Sequence, residues 1–296
     1  MIRTLCLGLA LALVAGADAL ARCADHVPQQ RPQNVARDIV GTDLDTIQER
    51  GFITFAAYED FAPYSFVQNG KPAGIDIEIG KIIADELGVE ARFKLVAAGE
   101  TLDADLRNWI WKGPIVGGRV ANVMLHVPYD SEFACRIEQV VFTGQYYDES
   151  IAIAYDAAHY PDGGPTVPYF RTETVGVEND SLSDFYLSNF NRGMLQPNIV
   201  RFASTDAAMT ALDEGTVSAV MGPRTQLQAL SGEGVAVHSP PLMGLSRGRW
   251  TVGVAVSFLY RPLAYSVGDA IYAGISDGRI AAAFEEYGAA FHPPTW

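Results

Sequence analysis

Residues 52–66 read FITFAAYEDFAPYSF. The first six, Phe52 to Ala57, are apolar except for one threonine, and a run that short predicts a buried strand. Tyr58 to Tyr64 then bring in Glu59, Asp60 and Pro63, which predicts a loop at the carboxyl end of that strand. Beyond a turn at Asn69-Gly70, the residues Ile75, Ile79, Ile82, Ile83 and Leu87 recur at helical spacing, and Gly88 stops the helix. Ala91 to Val96 is the next strand. On the amino-terminal side, Leu44 to Arg50 form one or two amphipathic helical turns closed by Gly51. Strand, helix and strand in this order are the unit of a parallel sheet.

The alternation continues through Val120 to Val127, Glu138 to Phe142 and Ser150 to Tyr155. After a Pro/Gly-rich loop from Pro161 to Pro168, a second series runs through Thr174 to Val177, Ala207 to Leu212, Val217 to Met221 and Thr225 to Leu230. Pro240-Pro241 precede a strand, Thr251 to Ser257, and a helix, Leu263 to Ile275. Two such series predict open α/β sheets with helices on both faces, whose ligand crevices lie at the carboxyl ends of the strands.

The chain has 296 residues, 49% of them hydrophobic, enough for one large or two ordinary domains. Thirty-five acidic against 21 basic residues give a net charge of -14 with no basic run, which argues against nucleic acid or an anionic membrane as partner. Arg3, the apolar run Leu5 to Leu13 and Ala19-Leu20-Ala21 predict a secretory signal peptide over residues 1–21, cleaved after Ala21. Residues 22–43 read as a disordered leader rich in Pro and Gln. Arg22 stands before Cys23, where a lipidation signal wants a small residue, so no lipid anchor is expected. No later run approaches the ~18 apolar residues of a membrane span. Cys6 leaves with the signal, and in an oxidising compartment Cys23 and Cys135 either pair or stay as two free thiols.

Three blocks carry a resemblance to a known family. They are Leu44 to Gly51 with Phe55 to Phe66, Gly74-Ile-Asp-Ile and Ile83-Ala-Asp-Glu-Leu-Gly88; Arg136 six residues before Phe142, with Tyr146 four further on; and Asp277-Gly-Arg-Ile280 through Glu286-Tyr-Gly288. In this order they resemble the periplasmic solute-binding proteins of family 3, the polar amino acid type. The resemblance implies the type 2 periplasmic binding protein fold, two α/β lobes joined by a two-strand hinge, with a small ligand trapped by lobe closure. It places lobe 1 at 44–149 and 250–296 and lobe 2 at 150–249, in a periplasmic protein served by an ABC permease. It also assigns Tyr58, Phe61 and Tyr64 to stacking on the ligand. Arg136 falls to the ligand carboxylate, for which a guanidinium offers paired donors.

Where the family places Ser/Thr donors this chain has Leu125-His126-Val127-Pro128, and where it places an acid for the ligand amine stand Gly222-Pro223-Arg224. Losing that acid disfavours a zwitterionic amino acid and favours an anion, held between Arg136 and Arg224. Asn122-Val-Met-Leu-His-Val-Pro128 and Val220-Met-Gly-Pro223 are similar to segments of the J-type proteins (MxaJ and XoxJ) that accompany periplasmic quinoprotein methanol dehydrogenases. That likeness implies pyrroloquinoline quinone (PQQ) as ligand, or a PQQ-dependent alcohol dehydrogenase as partner. His126, at a strand end, and Ser181, opening a helix with Asp184, complete the expected ligand-binding set of Tyr58, Phe61, Tyr64, His126, Arg136, Ser181 and Arg224.

Other signals are set aside. Gly244-Leu-Ser-Arg-Gly248 fits a nucleophile elbow, but a strand follows it where the elbow requires a helix. Five scattered histidines have no zinc spacing, and no phosphate-binding glycine motif is present, so neither metal nor cofactor is expected. The protein reads as a non-enzyme. The alternatives are an accessory protein that docks on a dehydrogenase, through apolar surface at Trp109 to Trp111, or a cyclohexadienyl-dehydratase-like enzyme using Glu178 or Asp180 as acid.

Overall fold

The computed structural model describes Cys23 and residues 40–295; the expected signal peptide and the leader up to residue 39, apart from Cys23, lie outside the described residues. Helix α1 (Leu44–Arg50) is capped by the Asp43 carboxylate, which accepts from the Thr46 amide, and ends at Gly51 with φ 74°. Strand β1 (Phe52–Tyr58) follows, then a hairpin of β2 (Phe66–Gln68) and β3 (Lys71–Ala73) around the Asn69-Gly70 turn. Next come α2 (Ile75–Glu86), β4 (Glu90–Val96) and α3 (Leu102–Leu106), which runs on into a π-helical turn over Arg107–Trp111. Then follow β5 (Val123–Tyr129), α4 (Ser131–Arg136) and the long β6 (Val140–Asp156).

The second half contains β7 (Val175–Glu178), α5 (Leu182–Asn189), β8 (Ile199–Phe202), α6 (Thr205–Asp213), β9 (Ala219–Pro223), α7 (Arg224–Leu230) and β10 (Val235–His238). The chain ends with β11 (Arg249–Ser257), α8 (Arg261–Ser276) and α9 (Arg279–Glu286). The strand order is β4-β1-β5-β11-β6-β9-β7-β8, with β10 also paired to β6.

One sheet of lobe 1 and one of lobe 2 share β6. Residues 140–150 of β6 pair with β11, and Ile151 to Tyr155 pair with β9. Arg249 of β11 stands opposite Ser150, so both connecting strands are side by side where the lobes meet. Each sheet is buried on two faces. Leu125, Ile83, Ile271 and Phe284 pack on one side of the lobe 1 sheet, and Met124, Leu106, Ile110 and Val140 on the other. Ile153, Phe170 and Leu187 pack on one side of the lobe 2 sheet, and Ala154, Met209, Val220 and Leu227 on the other. Neighbours such as Met124 and Leu125 thus serve opposite layers, and complete burial of such a side chain is worth ~1.5–3 kcal/mol.

Three local expectations change. Glu138 to Phe142 and Ser150 to Tyr155 are not separate strands but parts of one 17-residue strand, because the polar residues between them are paired with β11. The β2–β3 hairpin and β10 are too short for a hydrophobic period to mark them. Cys23 and Cys135 form a disulfide, which ties the leader to α4 and resolves the choice between pairing and free thiols.

Candidate functional site

Four of the seven expected site residues gather at the carboxyl end of the lobe 1 strands. The Phe61 ring stands 4.9 Å from Tyr64, 4.9 Å from His126 and 6.2 Å from Tyr58, and Tyr64 stands 4.1 Å from His126. Tyr58 and Phe61 are half-buried, whereas Tyr64 and His126 are buried. The Tyr58 hydroxyl donates to Asp105 Oδ2 at 2.9 Å, and burial, with the Asp105 charge beside it, pushes its phenol far up.

His126 reaches this cluster because the sheet is deformed. Leu125 and His126 of β5 stand opposite the single Val254 of β11, a β-bulge in which His126 takes φ 55°. On the other flank of β11, Gly144 to Tyr146 are extra residues opposite Gly253, and Gly144 takes φ 54°. Gly253 admits this crowding, since a Cβ there would lie 2.9 Å from the Thr143 carbonyl. Bulges re-aim side chains. Here the two aim His126 and Tyr146 at one carboxylate, Asp76 in the first turn of α2. Tyr146 donates to Asp76 Oδ1 at 2.8 Å, and His126 Nδ1 hydrogen-bonds the same oxygen at 3.4 Å, with Oδ2 3.2 Å away and without a hydrogen bond of its own among the described residues. Burial, with the Asp76 charge, holds the Tyr146 phenol well above its ordinary value.

A second buried network crosses between the lobes. The Tyr64 hydroxyl donates to Glu149 Oε2 on β6, the Ser150 amide donates to Glu149 Oε1 at 2.7 Å, and the Thr225 amide of α7 approaches Glu149 Oε2 at 3.4 Å. Tyr147 and Thr225 share a hydroxyl hydrogen bond. Burial, reinforced by the Glu149 charge, pushes the Tyr147 phenol up to about 12. Gln226 Nε2 donates to the Ala62 carbonyl at 3.1 Å, a direct contact between α7 and the loop after β1.

The other three expected residues stand apart from the aromatic cluster. Arg224 donates through Nη2 to the Tyr147 hydroxyl at 3.2 Å and to the Asp148 carbonyl, so it braces the hinge. Arg136 is exposed at the end of α4, 5.8 Å over the Phe133 ring. Phe133 and Phe142 pack in one apolar layer of the lobe 1 sheet and Tyr147 in the opposite one, so the contacts of Arg136 and of Arg224 lie on different faces of that sheet. Ser181 caps α5, accepting from the Asp184 amide at 3.1 Å. Glu178 accepts from the amide and hydroxyl of Thr205, at 3.0 and 2.8 Å, and caps α6. Trp109 and Trp111 are half-buried against their own layer, not an apolar outer surface.

Sequence reasoning quoted Asp76 and Tyr146 within its blocks without giving them a site role, and passed over Glu149. A signal for two of them existed. Asp76 lies three and seven residues before Ile79 and Ile83, on the apolar stripe of α2, and Glu149 lies two residues from both Tyr147 and Ile151, on an inward strand face. Among the described residues no group of His, Cys, Asp and Glu is arranged to hold a metal.

A sequence profile of the bacterial extracellular solute-binding proteins, family 3, matches residues 53–108, from β1 to the π-helical turn. No curated protein matches the chain. Solved structures match over most of its length. An ancestral cationic amino acid solute-binding protein superposes with a TM-score of 0.67 at 20% identity, over 83% of this chain and 99% of that one. An amino acid ABC transporter substrate-binding protein from Streptococcus pneumoniae bound to L-arginine gives 0.58 at 19% identity, over 83% and 97%. A solute receptor for L-cysteine of Neisseria gonorrhoeae gives 0.55 at 21% identity, over 83% and 93%. The fold is therefore that of the type 2 periplasmic binding proteins, two α/β lobes on a two-strand hinge.

Proposed function

We propose that this chain is a non-catalytic exported solute-binding protein that captures a small, flat, carboxylated ligand between its lobes. The observation that carries this reading is the aromatic cluster of Tyr58, Phe61, Tyr64 and His126, built at the carboxyl ends of the lobe 1 strands and facing lobe 2 beside the hinge. Ligands of open α/β sheets sit at such strand ends. Phe61, half-buried, supplies the stacking face. Arg224 is committed to the hinge and Arg136 lies over Phe133 away from the aromatic cluster, so the stacking face rather than a preformed cation supports this reading. The matched profile and the amino acid binders of the same fold support solute capture.

Within this reading PQQ, a planar polycarboxylate, is the ligand we favour over an ordinary amino acid. Gly222 and Pro223 of β9 offer no acid to an ammonium group, and Glu178 is spent as a helix cap. That commitment also weighs against a dehydratase-like reaction through Glu178. Docking on a periplasmic dehydrogenase is the second reading. It is favoured by an apolar groove of about 520 Å³ in lobe 2, between α5 and residues 241–245, where Phe185 and Met243 are exposed.

Calorimetry with PQQ, with aromatic carboxylates and with the twenty amino acids, on the wild type and on Phe61→Ala, tests the proposal. A planar carboxylate should bind, and Phe61→Ala should weaken it about tenfold. Saturable binding of an amino acid alone would replace the proposed ligand class, and no binding of any of them would favour docking.

A further inference from the structure

We infer that lobe 1 carries a second ligand site, at the end of its sheet away from the cleft, for a small multivalent oxyanion. A cavity of about 300 Å³ lies there, lined among others by Thr42, Arg50, Thr54, Lys112, Arg119 and Asn122. Thr54 precedes Tyr58 by four residues on β1, which separates this cavity from the aromatic cluster by roughly 13 Å. The two sites therefore share a sheet but no lining residue.

Charge is the first argument. The chain carries a net charge of -14, yet three cations surround this cavity. Lys81, Arg92, Arg201, Arg247 and Arg279 pair with carboxylates, whereas Arg50, Lys112 and Arg119 are among the cations with no such partner among the described residues, and here three of them line one cavity. A multivalent anion would supply the missing counter-charge, and the walls of a concave site strengthen the attraction.

Preorganisation is the second. Half-buried Arg50 spends Nε on the Phe52 carbonyl at 2.9 Å and Nη2 on Asn122 Oδ1 at 2.7 Å, which leaves Nη1 without a partner among the described residues. Asn122 is itself fixed, since Oδ1 also accepts from the amide and hydroxyl of Thr54 and Nδ2 donates to the Thr42 hydroxyl at 2.9 Å. Thr42 accepts that bond, so its own proton is free to donate to a ligand. Burial, with the Arg92 charge adding to it, pulls the Arg50 guanidinium below its ordinary value, a cost that a bound anion would relieve.

The rim is shaped by backbone that few residues can adopt. Gly113 and Gly118 take φ 107° and 118°, which turns residues 112–119 back over the cavity and brings Lys112 and Arg119 to its edge. Lys94 Nζ donates to the Arg119 carbonyl at 3.4 Å, and the Tyr260 hydroxyl donates to the Val40 carbonyl at 2.9 Å on the opposite rim. Of the donors, Arg50 and Thr42 are held in place by Asn122 before binding and so lose little entropy, while the exposed Lys112 and Arg119 add charge.

Calorimetry and thermal unfolding with inorganic phosphate and with citrate, against sodium chloride of equal ionic strength, test the inference on the full chain. The wild type should bind one or both at millimolar concentration, tetrahedral and polycarboxylate ligands being told apart by which titrates. The double variant Lys112→Ala, Arg119→Ala changes only exposed side chains and should weaken binding at least tenfold. Phe61→Ala should leave it unchanged, which separates this site from the cleft. The inference fails if neither anion binds, if chloride gives the same shift, or if the double variant binds as tightly as the wild type.

Discussion

The phenol of Tyr64 on the lobe 1 wall donates to the carboxylate of Glu149 on the hinge strand, and both residues are almost wholly buried, at 2% and 1% exposure. Burial, with the Glu149 charge next, holds the Tyr64 phenol well above its ordinary value, so it stays a donor throughout the physiological range. Glu149 also receives amides from its own strand and from α7, and one carboxylate thereby joins the lobe 1 wall, the hinge and lobe 2.

Tyr64→Phe removes one donor and leaves a buried carboxylate oxygen short of a partner. The expected loss of stability is about 1–3 kcal/mol. Denaturant unfolding measures it, and a change under about 0.5 kcal/mol would mean that Glu149 recruits another donor.

His292 makes a prediction about pH. Burial, followed by the charges of Arg224 and Arg249, holds its imidazole below the ordinary 6.5. The unfolded chain then takes up the proton first, so the stability from this site is complete above pH 6.5 and is lost as the pH falls toward the folded value. Denaturant midpoints should fall between about pH 7.5 and about pH 5.5, and His292→Gln should flatten that slope. An unchanged slope would assign the pH dependence to other groups.

Asp148 links the carboxyl-terminal segment to the hinge. Its amide donates to the His292 carbonyl at 2.9 Å, while its carboxylate accepts from the Thr251 hydroxyl at 2.7 Å and from the amide and hydroxyl of Thr295 at 3.1 and 3.0 Å. Asp148→Ala should therefore raise hydrogen exchange in residues 288–295 and in 147–151 together. Faster exchange in only one of the two segments would show that they are not coupled through this side chain.

Cys23 and Cys135 are joined across 112 residues. Neither should react with a thiol reagent in the denatured protein until a reductant is added. Reaction without reductant would show the pair open. The bond closes a loop long enough to contribute up to ~5 kcal/mol by chain entropy, so Cys135→Ser should lower the unfolding midpoint.

Much of the architecture was legible because apolar period and glycine stops survive folding unchanged. Gly51 ends α1, Ser181 opens α5, and Phe52 to Ala57 form β1 as their patterns require. The aromatic part of the site was legible for the same reason: Tyr58 to Tyr64 follow a strand directly. The bulges that redirect His126 and Tyr146 were not legible, since a bulge depends on the register of neighbouring strands. Nor was the fate of Arg224. Its neighbours in sequence gave no hint of Tyr147 and Asp148, 77 and 76 residues away.

Strand β6 also constrains how the gene can drift. Residues 140–150 point their side chains into the layers of one lobe and 151–156 into those of the other, and beyond the bulge at Gly144 to Tyr146 the pleat continues from Tyr147 into lobe 2. Inserting or deleting one residue near Ser150 would turn every later side chain to the opposite layer, exchanging Ile153 for Ala154 in the lobe 2 interior. A lineage can therefore lengthen the 157–166 loop one codon at a time, while the hinge tolerates substitution but not a change of length.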